Sequence, residues 1–234
     1  NVAELVNGGK TDINITLDKN IDLTGKDWTP IGTSFDNSYT GTFDGGGHTI
    51  TGLTITTKDQ FVGLFGYLNR AGTVKNVVME GIQITSNHGS SQAGGVVGFS
   101  RGTIENCSVS GSVSGTVYVG GVVGAQWGGS ITGCSSSATV KGTVDVGGVA
   151  GEKWGSMTAC YATGNVTLEI DSPKNLSGGG LVGFNGGSSV LACYATGNVT
   201  STGSSTGNVH IGGFLGDNYT TVTACYWKNN HEQG

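Results

Sequence analysis

The sequence predicts an all-β protein: a right-handed parallel β-helix, or β-solenoid, with about three short strands per coil. Three observations carry that expectation. A Gly-hydrophobic-hydrophobic-Gly core occurs six times, beginning at Gly63, Gly95, Gly121, Gly148, Gly180 and Gly213, with spacings of 32, 26, 27, 32 and 33 residues. Each of the last five cores is followed 12 or 13 residues later by a cysteine, namely Cys107, Cys134, Cys160, Cys193 and Cys225, while Val77 stands in that place after the first. After the cysteine comes an alternating run such as Cys107-Ser108-Val109-Ser110-Gly111-Ser112-Val113. Alternation with period two, Val and Thr content and Gly boundaries signify strand, and a fixed period of this size signifies stacked coils.

From the N-terminus, Glu4-Leu5-Val6-Asn7-Gly8 has the form of a helix ending at a glycine, as a cap over the first coil would. Residues 1–60 are expected to hold this cap and irregular first coils. They are rich in Asp and include Asn14-Ile15-Thr16-Leu17, Trp28-Thr29-Pro30-Ile31-Gly32 and Phe43-Asp44-Gly45-Gly46-Gly47-His48. Residues 61–234 are expected to hold six repeats, continuous with the first part as one solenoid. The segments Asp171–Ser177 and Ser201–Asn208 fall at the same point of successive repeats, so they are expected to project from one edge. The final segment, from Cys225 on, has no evident cap, which suggests a longer polypeptide. The N-terminus lacks the basic start and apolar core of a signal peptide, so the chain reads as a mature or excised fragment.

Composition narrows the function classes. Gly contributes 45 of 234 residues, Pro 2, and charged residues 12%, with a net charge of −5. The regular return of Val, Ile, Leu and aromatics sets the chain apart from disordered Gly-rich sequences. No apolar run approaches the ~18 residues of a membrane span. A mildly acidic chain without a basic stripe has nothing to attract nucleic acid. The reading is therefore not membrane-spanning and without a nucleic-acid partner.

With those residues in view, the chain resembles the GLUG-repeat proteins, whose core has the form of Gly63-Leu64-Phe65-Gly66 and Gly180-Leu181-Val182-Gly183. The likeness extends to Trp28–Thr33, Thr40–Ile50 and Thr73–Val77. It implies a β-helix in a bacterial protein, secreted or at the cell surface, of the adhesin type or beside the catalytic domain of an IgA1-specific metallopeptidase. A His-Glu-x-x-His zinc signature is absent: His48, His88, His210 and His231 are dispersed. The resemblance thus implies a surface binding or adhesion module, with a host glycan or host protein and neighbouring domains of the same polypeptide as partners. The alternatives are a passive stalk and a polysaccharide-degrading enzyme on the same fold.

The residues capable of chemistry also have structural roles open to them. Cysteines in one phase should stack about 4.8 Å apart, beyond disulfide reach, and act as small buried hydrophobes; disulfides or metal ligation are the alternatives. Polysaccharide cleavage needs clustered carboxylates, and aligning Glu80, Glu105, Asp145, Glu152, Glu169, Asp171, Asp217 and Glu232 by repeat gathers no group on one coil face. Asp44 and His48 flank a Gly turn, where Asp44 is expected to bind backbone amides. No catalytic residue, metal or cofactor is therefore assigned. Six residues after the core begins stand Asn69, Arg101, Trp127, Trp154, Gly186 and Tyr219. Trp127 and Trp154 are expected to stack on adjacent coils, and with Arg101 and Tyr219 they form a candidate sugar-binding stripe, or shield a corner of the solenoid. Tyr161, Tyr194 and Tyr226, each directly after a cysteine, are expected to face outward as a second ladder.

Overall fold

A computed structural model of the chain describes residues 2–170 and 174–228; three of the seven residues of the 171–177 loop expected from the sequence therefore fall outside the described residues. After the helix Val2–Asn7 the described chain is built from short strands. Coil upon coil they pair in parallel and form four sheets. One coil defines them: face 1 at Val97–Ser100, face 2 at Thr103–Glu105, face 3 at Ser108–Ser114 and face 4 at Tyr118–Gly120. The parallel solenoid is as expected, but each coil is divided into four strands rather than about three. The division arises at the Gly-Gly pair that precedes the hydrophobic core, where Gln92–Gly94 ends and Val97–Ser100 begins on a different sheet.

Glycine is required at that corner. A Cβ on Gly120 would run into the carbonyl oxygens of Val123 and of Val149 in the next coil, and one on Gly147 would meet the backbone of Ala150 and Gly183. Removing the side chain lets the chain bend sharply while neighbouring coils remain at ladder distance. The turn between faces 2 and 3 uses a second device. The residue before Val77 or the cysteine has a left-handed backbone in every repeat: Asn76, Asn106, Gly133, Ala159, Ala192 and Ala224 have φ of 55, 51, 64, 54, 53 and 51°. Asn and Gly tolerate that region, whereas for Ala it costs energy.

Register places like on like inside the coil. On face 2, Val74, Ile104, Ile131, Met157 and Val190 stack in line and all are fully buried. Each such side chain contributes roughly 1.5–3 kcal/mol through burial, and a charged residue at Ile131 would break the column. The thiols continue this interior. Cys107, Cys134, Cys160 and Cys193 are buried and free, Cys225 half-buried. The backbone N–H of Cys107 points to Cys134 Sγ at 3.5 Å, and that of Cys160 to Cys193 Sγ at 3.3 Å. Hydrogen bonding along this row and burial together push the Cys160 thiol up to about 12.

At the N-terminal end Ala3 and Val6 join the core. Asn7 clamps the first coils by donating to Pro30 O at 3.0 Å and accepting from Gly32 N at 2.9 Å. Among the described residues no helix is long and apolar enough to cross a membrane.

Candidate functional site

Faces 1 and 4 meet in a re-entrant corner, so side chains that point out of each sheet converge. On face 1 the third strand position reads Tyr67, Phe99, Ala125, Glu152, Phe184, Asp217 along the axis. On face 4 the first position reads Phe61, Gln92, Tyr118, Asp145, Ser177, His210. The rows touch across the corner: the Phe61 ring lies 5.4 Å from Tyr67 and 5.8 Å from Phe99. Tyr67, Phe99 and Ala125 form an apolar cluster separate from the solenoid core.

Two residues beyond the face 1 row come Arg101, Trp127, Trp154 and Tyr219. Their backbone amides donate to Leu68, Ser100, Gln126 and Asn185 of the preceding coil at 2.8–2.9 Å, which fixes them in one line. The expected mutual stacking of Trp127 and Trp154 is replaced by a different arrangement: both indoles grip one carboxylate. Trp127 Nε1 donates to Glu152 Oε2 at 2.6 Å and Trp154 Nε1 to Glu152 Oε1 at 2.8 Å. A buried carboxylate needs donors, and satisfying it turns the two rings apart. Trp127 then packs edge-on against Phe99 at 5.4 Å and Trp154 against Phe184 at 5.8 Å. Glu152 is 6% exposed, while Trp127 and Trp154 remain 47% and 44% exposed.

The strip continues at both ends. The Arg101 guanidinium lies 5.9 Å from the Phe35 ring centre and 5.8 Å from that of Phe99, a cation–π placement. At the other end Tyr219 packs on Phe184 at 5.5 Å, and its hydroxyl donates to Asp217 Oδ2 at 3.3 Å. His210 Nδ1 is 3.1 Å from the same oxygen.

Alignment of the repeats predicts that acidic residues do not gather on one coil face, and among the described residues no cluster of three forms; the structure adds one pair across the corner that the alignment does not show, Asp145 and Glu152. Glu152 and Asp217 share the face 1 row, and Asp145 lies across the corner beside Glu152. Burial first, then the charges of Glu152 and Asp217, push the Asp145 carboxyl up to about 7, against the opposing hydrogen bond of Ser177. Burial, then the charges of Glu152 and Asp145, hold the Tyr118 phenol up at about 12. Gln92 Oε1 is buried in this corner with no hydrogen-bond partner. Gln92, Tyr118 and Asp145 each stand three residues before the core, but that position varies in residue type, and only the Gly corner, by folding face 4 against face 1, brings it beside the row of Glu152. Glu152 had a signal: it occupies a place held by an aromatic in three of the other five coils, two residues before Trp154.

Tyr161, Tyr194 and Tyr226 form the second ladder on face 3, apart from the strip. Their rings stack at 4.8 and 5.4 Å with interplanar angles of 3° and 12°. Asp44 is committed to its turn: Gly46 N and Asn76 Nδ2 donate to Oδ1, both at 2.9 Å, and Lys75 Nζ lies 3.3 Å from Oδ2. The Asn76 bond first, then that from Gly46, holds its carboxyl below the usual range. Among the described residues no group of three or more metal-binding side chains converges. A hollow at the last coils, lined by Val199, Ile211, Phe214, Leu215 and Trp227, is apart from all the residues predicted from sequence.

Comparison with known proteins agrees with the repeats. The family pattern described as the GLUG motif matches residues 89–114, 115–141 and 175–200. Halomucin of Haloquadratum walsbyi is 39% identical over 119 residues, 47% of this chain and 1% of that protein. A protein of Evansella cellulosilytica, provisionally described as a Gly-rich membrane protein, is 35% identical over 96 residues, 41% of this chain and 11% of that one. The chain thus spans a small fraction of these relatives. The crystal structure of a candidate immunoglobulin A1 protease from Bacteroides ovatus superposes with a TM-score of 0.80 over 98% of this chain and 73% of that chain, at 22% identity. At that identity the likeness concerns the fold.

Proposed function

We propose that this GLUG-motif solenoid is an extracellular surface binding module, adhesive in role, which holds glycans on the strip between faces 1 and 4. The observation that carries the reading is the Glu152 carboxylate held between two half-exposed tryptophans. Its indoles are fixed before any ligand arrives, so docking a sugar ring against them orders few further side chains. Exposed aromatic faces beside hydrogen-bonding groups suit pyranose rings, which present apolar C–H faces and hydroxyl edges. The residues proposed to make contact are Arg101, Trp127, Trp154 and Tyr219, with Tyr161, Tyr194 and Tyr226 as a second surface. The names of the relatives, a halomucin and a Gly-rich membrane protein, are compatible with an external location.

A screen of the purified chain against a glycan array and immobilised host-matrix proteins tests this. Binding should be found and should weaken at least tenfold in Trp127→Ala and Trp154→Ala. Failure of every ligand would sink the binding role and leave the passive stalk.

A further inference from the structure

Resting on that reading, we infer that the strip takes an uncharged glycan chain laid along the solenoid axis and turns away polyanionic glycans. Its pyranose rings lie against Trp127 and Trp154, and its hydroxyls donate to Glu152 and Gln92. The first ground is the supply of hydrogen-bonding groups. The indole N–H groups, which could have met an anionic ligand, are spent on Glu152. What the corner offers is acceptors: carboxylate lone pairs beyond those the indoles use, and Gln92 Oε1, which is buried without a partner on a side chain only 8% exposed. A buried acceptor left unmet is costly, and a ligand rich in O–H groups supplies what it lacks.

The second ground is charge. Arg101 and His210 stand towards opposite ends, and at the centre of the strip no ion pair to Glu152 or Asp145 is found among the described residues. Lys153, next to Glu152 in sequence, points the other way and is fully buried. A uronate or sulfate placed on the tryptophans would meet Glu152 as a like charge in a poorly hydrated corner, where such repulsion is strong. An ammonium ligand is less favoured than a neutral one, because both Glu152 oxygens already accept indole bonds and burial favours the neutral form of Asp145.

The third ground is repetition. Trp127 and Trp154 occupy equivalent places on adjacent coils, with their rings turned to either side of Glu152, towards Phe99 and Phe184, so together they line a length of the axis. The face 1 row repeats through six coils, so a chain of several sugars can follow it.

Affinity electrophoresis of the full chain in gels containing β-glucan, mannan, xylan, polygalacturonate, hyaluronan or chitosan tests the inference, followed by calorimetry with oligosaccharides of the retarding polymer. At least one neutral polymer should retard the protein, the two polyanions should not at low salt, and affinity should rise with chain length. Glu152→Gln should weaken that binding at least tenfold and Gln92→Leu severalfold. Should Glu152→Gln unfold, Trp127→Phe keeps an aromatic side chain, though a smaller one, removes one donor and should still weaken binding. Retardation by polygalacturonate, hyaluronan or chitosan in place of the neutral polymers would overturn the inference while leaving a binding module. Neutral binding untouched by these variants would overturn it equally. If no glycan and no protein binds, the proposed function falls with it.

Discussion

Lys153 gives the sharpest test of how the interior is built. It lies in the inward row Leu68, Ser100, Gln126, Lys153, Asn185 of face 1 and is fully buried. Its ammonium donates to Gly155 O at 2.7 Å and Ser188 O at 2.6 Å. These two bonds do not repay the lost hydration, and burial lowers its pKa from 10.5 to about 8. The folded state therefore sheds this proton more readily than the unfolded chain. Below pH 8 the cost of a charged buried amine is present in full; it is relieved as pH rises from about 8 to 10.5, by on the order of 3 kcal/mol. Lys153→Met keeps the length of the side chain and removes the charge. Urea unfolding of both proteins between pH 7 and 11 should show the variant's relative advantage shrinking by that amount across the window. The thiols and phenols, whose raised values act in the opposite direction above pH 9, cancel in the difference. A difference that stays constant with pH would refute an ionisable Lys153 in the core.

Three further outcomes follow from the same geometry. Ala159→Gly and Ala192→Gly should each stabilise the fold by about 0.5–1 kcal/mol in urea melts, since relief of a left-handed alanine outweighs the added freedom of the unfolded chain; a loss of stability would contradict the strain. Asp145→Asn should gain stability over the parent as pH rises from about 4 to 7. A carboxyl raised to about 7 gives stability that is complete below its unfolded value of 3.8 and is lost on passing its folded one, a few kcal/mol in all. Equal pH profiles would count against that burial. A thiol reagent should label half-buried Cys225 first and the other four cysteines only at the rate of unfolding; uniform labelling of native protein would contradict the buried row.

Much of the solenoid is legible because its signals are local and recur in phase. The Gly core, the cysteine and the alternating run each mark one point of the coil, and parallel stacking turns sequence period into spatial register. The left-handed turn escapes notice because Asn76, Asn106 and Gly133 announce it while Ala159, Ala192 and Ala224 do not. The fourth strand is hidden because the Gly-Gly corner cuts a stretch that reads as continuous.

The strip was half legible for a related reason. Arg101, Trp127, Trp154 and Tyr219 hold one offset from the core, so alignment of repeats finds them. Asp145 and Glu152 sit on opposite sides of the core and become neighbours only when the corner folds two sheets towards each other. Of the two inward positions of face 1, the first reads Phe65, Val97, Val123, Ala150, Val182, Leu215, apolar throughout, because each side chain must fit the one stacked on it. The outward position two residues on varies from Tyr67 through Ala125 and Glu152 to Asp217. Stacking dictates that inward row and leaves the outward one free, and the free row is the one in which a carboxylate is held between two indoles. A substitution such as Val123→Asp should therefore unfold the coil. Exchanging Phe184, which is only half-buried in that row, for Tyr should leave the unfolding free energy within about 0.5 kcal/mol and change what the strip binds, and a strongly destabilised Phe184→Tyr would show that the corner, too, is dictated by packing.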